Sequence, residues 1–155
     1  NALMVASHYQ DLSSLKLIWN FTNNHFEKDE IKAMLLQEDY KNETALHKSA
    51  SNADKSCFLF MAEVYTEKLG SHNTRDLIFK ENFDLIFHVF YFGIEKSCNL
   101  FVEFLLNLFN EEKLTLKELL NRRDKNNLTT FDKLKSKPNI FNDKIKIYEK
   151  LLQSI

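Results

Sequence analysis

Four segments of the chain line up beneath one another: NALMVAS (Asn1 to Ser7), TALHKSA (Thr44 to Ala50), LIFHVFY (Leu85 to Tyr91) and TTFDKLK (Thr129 to Lys135). Their starts lie 43, 41 and 44 residues apart. Self-similarity at such a period marks arrays in which one unit cannot bury its own apolar face and is stabilised by stacking on its neighbours. The likeness continues downstream: LSSLKLIWNF from Leu12, KSCFLFMAEV from Lys55 and KSCNLFVEFL from Lys96 place apolar residues at helical spacing. In this register Leu17, Phe60 and Phe101 match, as do Ile18, Met61 and Val102. Each unit then closes on a third amphipathic segment, DEIKAMLL, TRDLIF or LKELL, and a polar turn.

Composition agrees with helices. Two glycines, one proline and no alternating Val/Ile/Thr run argue against sheet, while 44% hydrophobic and 28% charged residues suffice for a packed core. The expected fold is therefore all-α, in units of about 1–43, 44–84 and 85–128 with a partial fourth at 129–155. The chain opens at Asn1 rather than Met, and its first residues are apolar and begin mid-motif, so it reads as a fragment of a longer array. Terminal units of such arrays normally carry polar caps.

NETALHKSA, Asn42 to Ala50, resembles the ankyrin repeat, whose core runs Gly, any residue, Thr-Pro-Leu-His-Leu-Ala-Ala. This stretch keeps the Thr, Leu, His and final Ala of that pattern. NNLTTFDKL looks like a degenerate form with Asp in place of His. The units are about ten residues longer than the family's period, and the third amphipathic segment accounts for the excess. Asn42 and Asn127 stand where the family has its turn glycine, and asparagine tolerates the left-handed backbone better than other non-glycine residues. The resemblance implies a solenoid of helix-turn-helix repeats with an additional short helix per unit. In it Thr44 and Thr129 cap inner helices, Leu46 packs, and His47, His88 and Asp132 share one structural position.

Chemistry finds little support. His8, His25 and His72 each precede an aspartate by three or four residues (Asp11, Asp29, Asp76), a spacing two ligands on a helix face could use, but no Cys or second His joins them. Gly70 and Gly93 alone cannot build a phosphate loop, and no serine has a nucleophile-elbow context. The expectation is a non-enzyme with neither metal nor cofactor. Cys57 and Cys98, both inside KSC, suggest buried small thiols in an intracellular setting, cytoplasmic or nuclear. No apolar run is long enough for a membrane span. A net charge of -1 gives no overall attraction to nucleic acid, and the basic run from Arg122 to Lys150 is interleaved with acids.

Fourteen phenylalanines remain to be placed. Phe21, Phe58, Phe60, Phe101 and Phe104 fall in the outer-helix core register. Other residues fall where the ankyrin family contacts its partners, at turn tips and inner-helix ends. The resemblance carries that role to His8 and Tyr9; to Tyr40, Lys41, Glu43, Ser51 and Asn52; to Phe83 and Phe92; and to Lys125, Asn126 and Leu128. An apolar stripe with a polar rim would bind another protein, of unknown identity, by shape and side-chain complementarity. Alternative readings are a docking or regulatory module of a longer effector or toxin, a different helix-pair solenoid of the HEAT or tetratricopeptide kind, and, last, a nucleic-acid binder.

Overall fold

A computed structural model describes the chain except for residues 10, 53–54, 81–83, 138–139 and 141. The described residues form α-helices and no strand. In chain order these are α1 (Ala2–Tyr9), α2 (Leu12–His25), α3 (Lys28–Leu36), α4 (Ala45–Ala50), α5 (Lys55–Leu69), α6 (Ser71–Ile78), α7 (Leu85–Phe92), α8 (Glu95–Leu108), α9 (Lys113–Leu120), α10 (Thr130–Lys135) and α11 (Asn142–Gln153). Short, long and short helices alternate in threes, ending with the pair α10 and α11. They gather into two compact units, Asn1–Ile78 and Phe79–Ile155.

In the first unit α1 packs on α4 and α2 on α5, with α5 also against α4 and α6. Leu3, Leu15, Leu35, Leu46, Phe58, Met61 and Tyr65 fill its core. The Tyr65 hydroxyl donates to the Leu35 carbonyl at 2.6 Å and accepts from the Leu46 N–H at 3.3 Å. One ring thus ties the end of α3 to the start of α4, and burial pushes its pKa up to about 12. In the second unit α7 packs on α10 and α8 on α11 around Phe90, Phe101, Leu105, Leu134 and Tyr148.

The short helices that begin each repeat all open on a capping side chain. Asn1 Oδ1 accepts the Met4 N–H at 3.0 Å, Asp84 Oδ1 accepts that of Phe87 at 3.0 Å, and Thr129 Oγ1 accepts that of Asp132 at 3.1 Å. At the start of α4, Thr44 and His47 form a capping box. These caps satisfy helix N–H groups that have no partner within the helix. Two glycines shape helix ends: Gly70, at φ 84°, turns the chain from α5 into α6, and a Cβ on Gly93 would lie 2.4 Å from the Val89 carbonyl oxygen at the end of α7.

The caps correct the register of the third repeat. Thr44 corresponds to Asp84, so the third residue of α7, matching His47 and Asp132, is Phe87 and not His88. His88 lies one residue further on, half-buried, its Nδ1 2.9 Å from the Asp84 carbonyl oxygen. Burial moves the long helix in the same way: Phe58, Met61 and Tyr65 of α5 and Cys98, Phe101 and Leu105 of α8 are fully buried at the same spacing, which sets Cys98 against Phe58 rather than Cys57. Both cysteines are buried, and neither is part of a disulfide.

The aromatic core is also smaller than the helical spacing suggests. Phe58 and Phe101 are fully buried and Phe60 and Phe104 partly so, but Phe21 is 58% exposed and stacked on His25, and Leu17 is exposed beside it. The reason is one of neighbours. Phe21 and Val64 hold the same place in α2 and α5, and Val64 is buried, whereas no described helix covers Phe21.

Candidate protein-recognition site

Two turns carry half of the candidate contact residues, and both are built from the same pattern, Asp, two variable residues, Asn, one variable residue, Thr. In the first, the Asp39 N–H donates to the Glu43 carbonyl at 3.0 Å and the Asn42 N–H to the Asp39 carbonyl at 3.0 Å. Asp39 Oδ1 accepts the N–H groups of Lys41 at 2.8 Å and Glu43 at 3.0 Å. The second turn repeats this set. The Asp124 N–H donates to Leu128 and that of Asn127 to Asp124, while Asp124 Oδ1 accepts from Asn126 at 2.8 Å and Leu128 at 3.1 Å. Asn42 and Asn127 supply the left-handed residue, at φ 60° and 61°.

A lysine from the following helix completes each frame. Lys48 Nζ lies 2.6 Å from Asp39 Oδ2 and also pairs with Glu43. Lys133 Nζ lies 3.5 Å from Asp124 Oδ2 and pairs with Asp84, whose carboxylate also accepts the Thr130 hydroxyl at 3.0 Å. The Lys48 bond, aided by the N–H groups of Glu43 and Lys41, holds the Asp39 carboxyl down at about 2. The Leu128 N–H, then those around it and Lys133, lowers Asp124 in the same direction.

The frame turns the variable residues outward. Tyr40 is 89% exposed, with the Lys41 ammonium 5.5 Å from its ring centre, and Lys125 and Asn126 are exposed at the matching tip. Leu128 is exposed beside them, whereas Glu43 is half-buried in its pair with Lys48. At the end of α1, Tyr9 is 74% exposed with half-buried His8 against its edge, 4.2 Å between centroids. His8 Nδ1 also lies 3.4 Å from the Lys48 carbonyl oxygen. At the end of α7, Phe92 is 53% exposed. Phe83 falls outside the described residues. Tyr9 and Tyr40 thus belong to the first unit, and Phe92 and Leu128 to the second.

Two residues assigned to the wet rim sit elsewhere. Asn52 is only 5% exposed, and its amide donates to the Ser7 carbonyl at 2.9 Å, which makes it a tie between the ends of α4 and α1. Ser51 is half-buried as the C-cap of α4. Both follow the helix so closely that its packing, rather than solvent, surrounds them.

The motif residues lie beneath the tips. Thr44, Leu46 and His47 are buried, as is Thr129. His47 Nδ1 accepts the Thr44 N–H at 3.2 Å and lies 2.8 Å from its hydroxyl, while Nε2 faces the Leu77 carbonyl oxygen at 3.0 Å. That geometry assigns the proton to Nε2 and fastens the start of α4 to the end of α6. Asp132 Oδ2 accepts the Thr129 N–H at 3.0 Å, and that contact is the main reason its carboxyl is lowered. Of the other histidines, His25 Nδ1 lies 2.8 Å from the Phe21 carbonyl oxygen and His72 3.6 Å from Asp76. Among the described residues no three potential ligands converge on a metal site. No described helix is long and apolar enough to cross a membrane.

The residues that hold the tips, Asp39, Lys48, Asp124 and Lys133, do not stand out one by one. Their signal was the pair itself, DYKNET followed by HK and DKNNLT followed by DK. Phe92 is joined by partly exposed rings that were not among the candidates: Tyr91 meets it edge-on at 4.9 Å and stacks on Phe87 at 5.4 Å and 9°, and Phe131 lies on the neighbouring helix. No family model, curated protein or solved structure matches the chain.

Proposed function

We propose that this chain is a protein-recognition scaffold of elongated ankyrin-type repeats, which holds a partner through exposed side chains at its turn tips and inner-helix ends and performs no chemistry of its own. The observation that carries this reading is Tyr40. A tyrosine 89% exposed is of little use to the fold, yet it stands on a turn whose backbone is bonded at four points and braced by a lysine. Presenting a large amphipathic ring on a fixed frame lowers the entropy cost of binding, which is what a recognition anchor requires. The matching tip of the second unit keeps the frame and changes the residues it displays, from Tyr-Lys to Lys-Asn. A constant frame with variable tips fits recognition better than it fits packing.

The test is retention of a partner by the intact chain beside the variants Tyr40→Ala and Phe92→Ala, with thermal melts of each. Removing an interface anchor commonly costs about 2 kcal/mol or more of binding, so both variants should lose most of the retained partner at unchanged melting temperature. A fall in melting temperature with retention intact would make these rings part of the fold and end the proposal.

A further inference from the structure

We propose that two copies of this chain pair through α2, each laying the face that carries Leu17 and Phe21 against the same face of the other. This goes beyond the scaffold reading, which neither requires the pairing nor forbids it.

Helical spacing sets Ser13, Leu17, Asn20, Phe21 and Asn24 within about 100° of one another around α2, and all five are exposed. Leu17, at 71% exposed, and Phe21, at 58%, stand one turn apart in the middle of this face. Another side of the helix is already taken. The Lys16 ammonium lies 5.7 Å from the centre of the Phe60 ring on α5, and buried Trp19 has the Lys68 ammonium 5.8 Å from its own centre.

The polar residues of the face narrow down what covers it. On α5 the same places are held by Ser56, Phe60, Glu63, Val64 and Glu67. Where α2 packs on α5, Val64 is buried and Phe60 half-buried, but Glu63 and Glu67 stay in solvent. On α8 the place of Glu63 is held by another exposed acid, Glu103. A helix stacked on α2 as the repeats stack would therefore reach Phe21 and leave residues 20 and 24 wet, where charge is at home. α2 carries amides there instead, and among its exposed residues Lys16 alone has a formal charge. Exposed aromatic surface with charge depleted around it is the composition of an interface core.

Hydrogen-bond chemistry makes that interface one with itself. Across a two-fold axis a residue meets its own copy or a near neighbour. An ammonium only donates and a carboxylate only accepts, so each repels its copy, whereas a hydroxyl or an amide does both and can bond to its like. Ser13, Asn20 and Asn24 are of the second kind, and their side chains have no hydrogen-bond partner among the described residues. One helix against its twin is a small contact, so the dimer is weak and reversible.

Sedimentation equilibrium of the intact chain, from micromolar to near-millimolar concentration, should show monomer passing to dimer and no further. Leu17→Glu with Phe21→Glu should weaken the association about tenfold or more, with the melting temperature of the dilute chain unchanged because both side chains lie in solvent in the monomer. Two charge variants test whether the face meets itself. Asn20→Lys with Asn24→Lys, and Asn20→Asp with Asn24→Asp, should each stay monomeric alone, and an equimolar mixture of the two should dimerise. A chain monomeric throughout, growth beyond a dimer as in head-to-tail stacking, association indifferent to the glutamates, or a mixture that fails to recover would each overturn the proposal. So would a lower melting temperature of the dilute glutamate variant, which would make Leu17 and Phe21 part of the fold of the single chain.

Discussion

Asn42 and Asn127 adopt the same left-handed backbone, φ 60° and 61°, each three residues after an aspartate whose side chain bonds the turn that the asparagine closes. This conformation brings Cβ against the following carbonyl oxygen and costs ordinary L-residues about 1–2 kcal/mol. Asn42→Val is therefore expected to destabilise the chain by about 1–2 kcal/mol in urea unfolding, while Asn42→Gly should be neutral or slightly stabilising. Equal losses from both would mean that the asparagine side chain, and not the backbone, matters at this place.

Two buried tyrosines make a matched pair for a second measurement. Tyr65 gives and receives a hydrogen bond through its hydroxyl, so Tyr65→Phe leaves the Leu35 carbonyl and Leu46 N–H without that partner in the core. A loss of about 1–3 kcal/mol is expected. The Tyr148 hydroxyl is buried without a hydrogen-bond partner among the described residues, and burial raises its pKa. Tyr148→Phe should change stability by no more than about 0.5 kcal/mol, or raise it. Thermal melts of the two variants side by side read the difference.

His47 offers a third. Its neutral ring accepts from Thr44 at Nδ1 and donates to Leu77 at Nε2, so His47→Phe keeps the volume and removes both ends of the clasp. A cost of about 2 kcal/mol is expected. Hydrogen exchange should show the loss first in the amides at the start of α4 and the end of α6.

Acid should loosen the turn tips. Asp39 is held at about 2 by Lys48 and the turn N–H groups, and Asp124 is lowered by the Leu128 N–H and its neighbours. A carboxyl lowered on folding stabilises fully above its unfolded value of about 4, and this contribution declines as pH falls from there, gone once pH passes below the folded value. The melting temperature should accordingly fall between about pH 4 and about pH 2. Asp39→Asn with Asp124→Asn should start lower at neutral pH and show a flatter profile over that window.

An all-helical chain was legible because apolar residues recur at helical spacing with almost no glycine or proline to interrupt them. The third repeat was misplaced by one residue because DLIFHVFYF is apolar nearly throughout, so its hydrophobic pattern slides without penalty and the histidine drew the alignment. The Asp84 cap, a feature of backbone chemistry, is what pins it. Periodicity likewise places Phe21 on an apolar face without telling whether a neighbour covers that face. Asn52 was misjudged because its burial depends on the Ser7 carbonyl, 45 residues away, which no local pattern announces. The tip aspartates were visible only when two distant turns were compared with each other rather than with a known motif.

Because each turn's backbone is bonded through its aspartate, its asparagine and the lysine of the next helix, the two residues at its apex owe the fold almost nothing. Substitutions there can accumulate without the selection against unfolding that governs Thr44 or Tyr65. If the tips hold a partner as proposed, a lineage of such chains could exchange one interlocutor for another by editing a dipeptide. In the laboratory, positions 40–41 and 125–126 are where randomised libraries should retain folded members at the highest frequency.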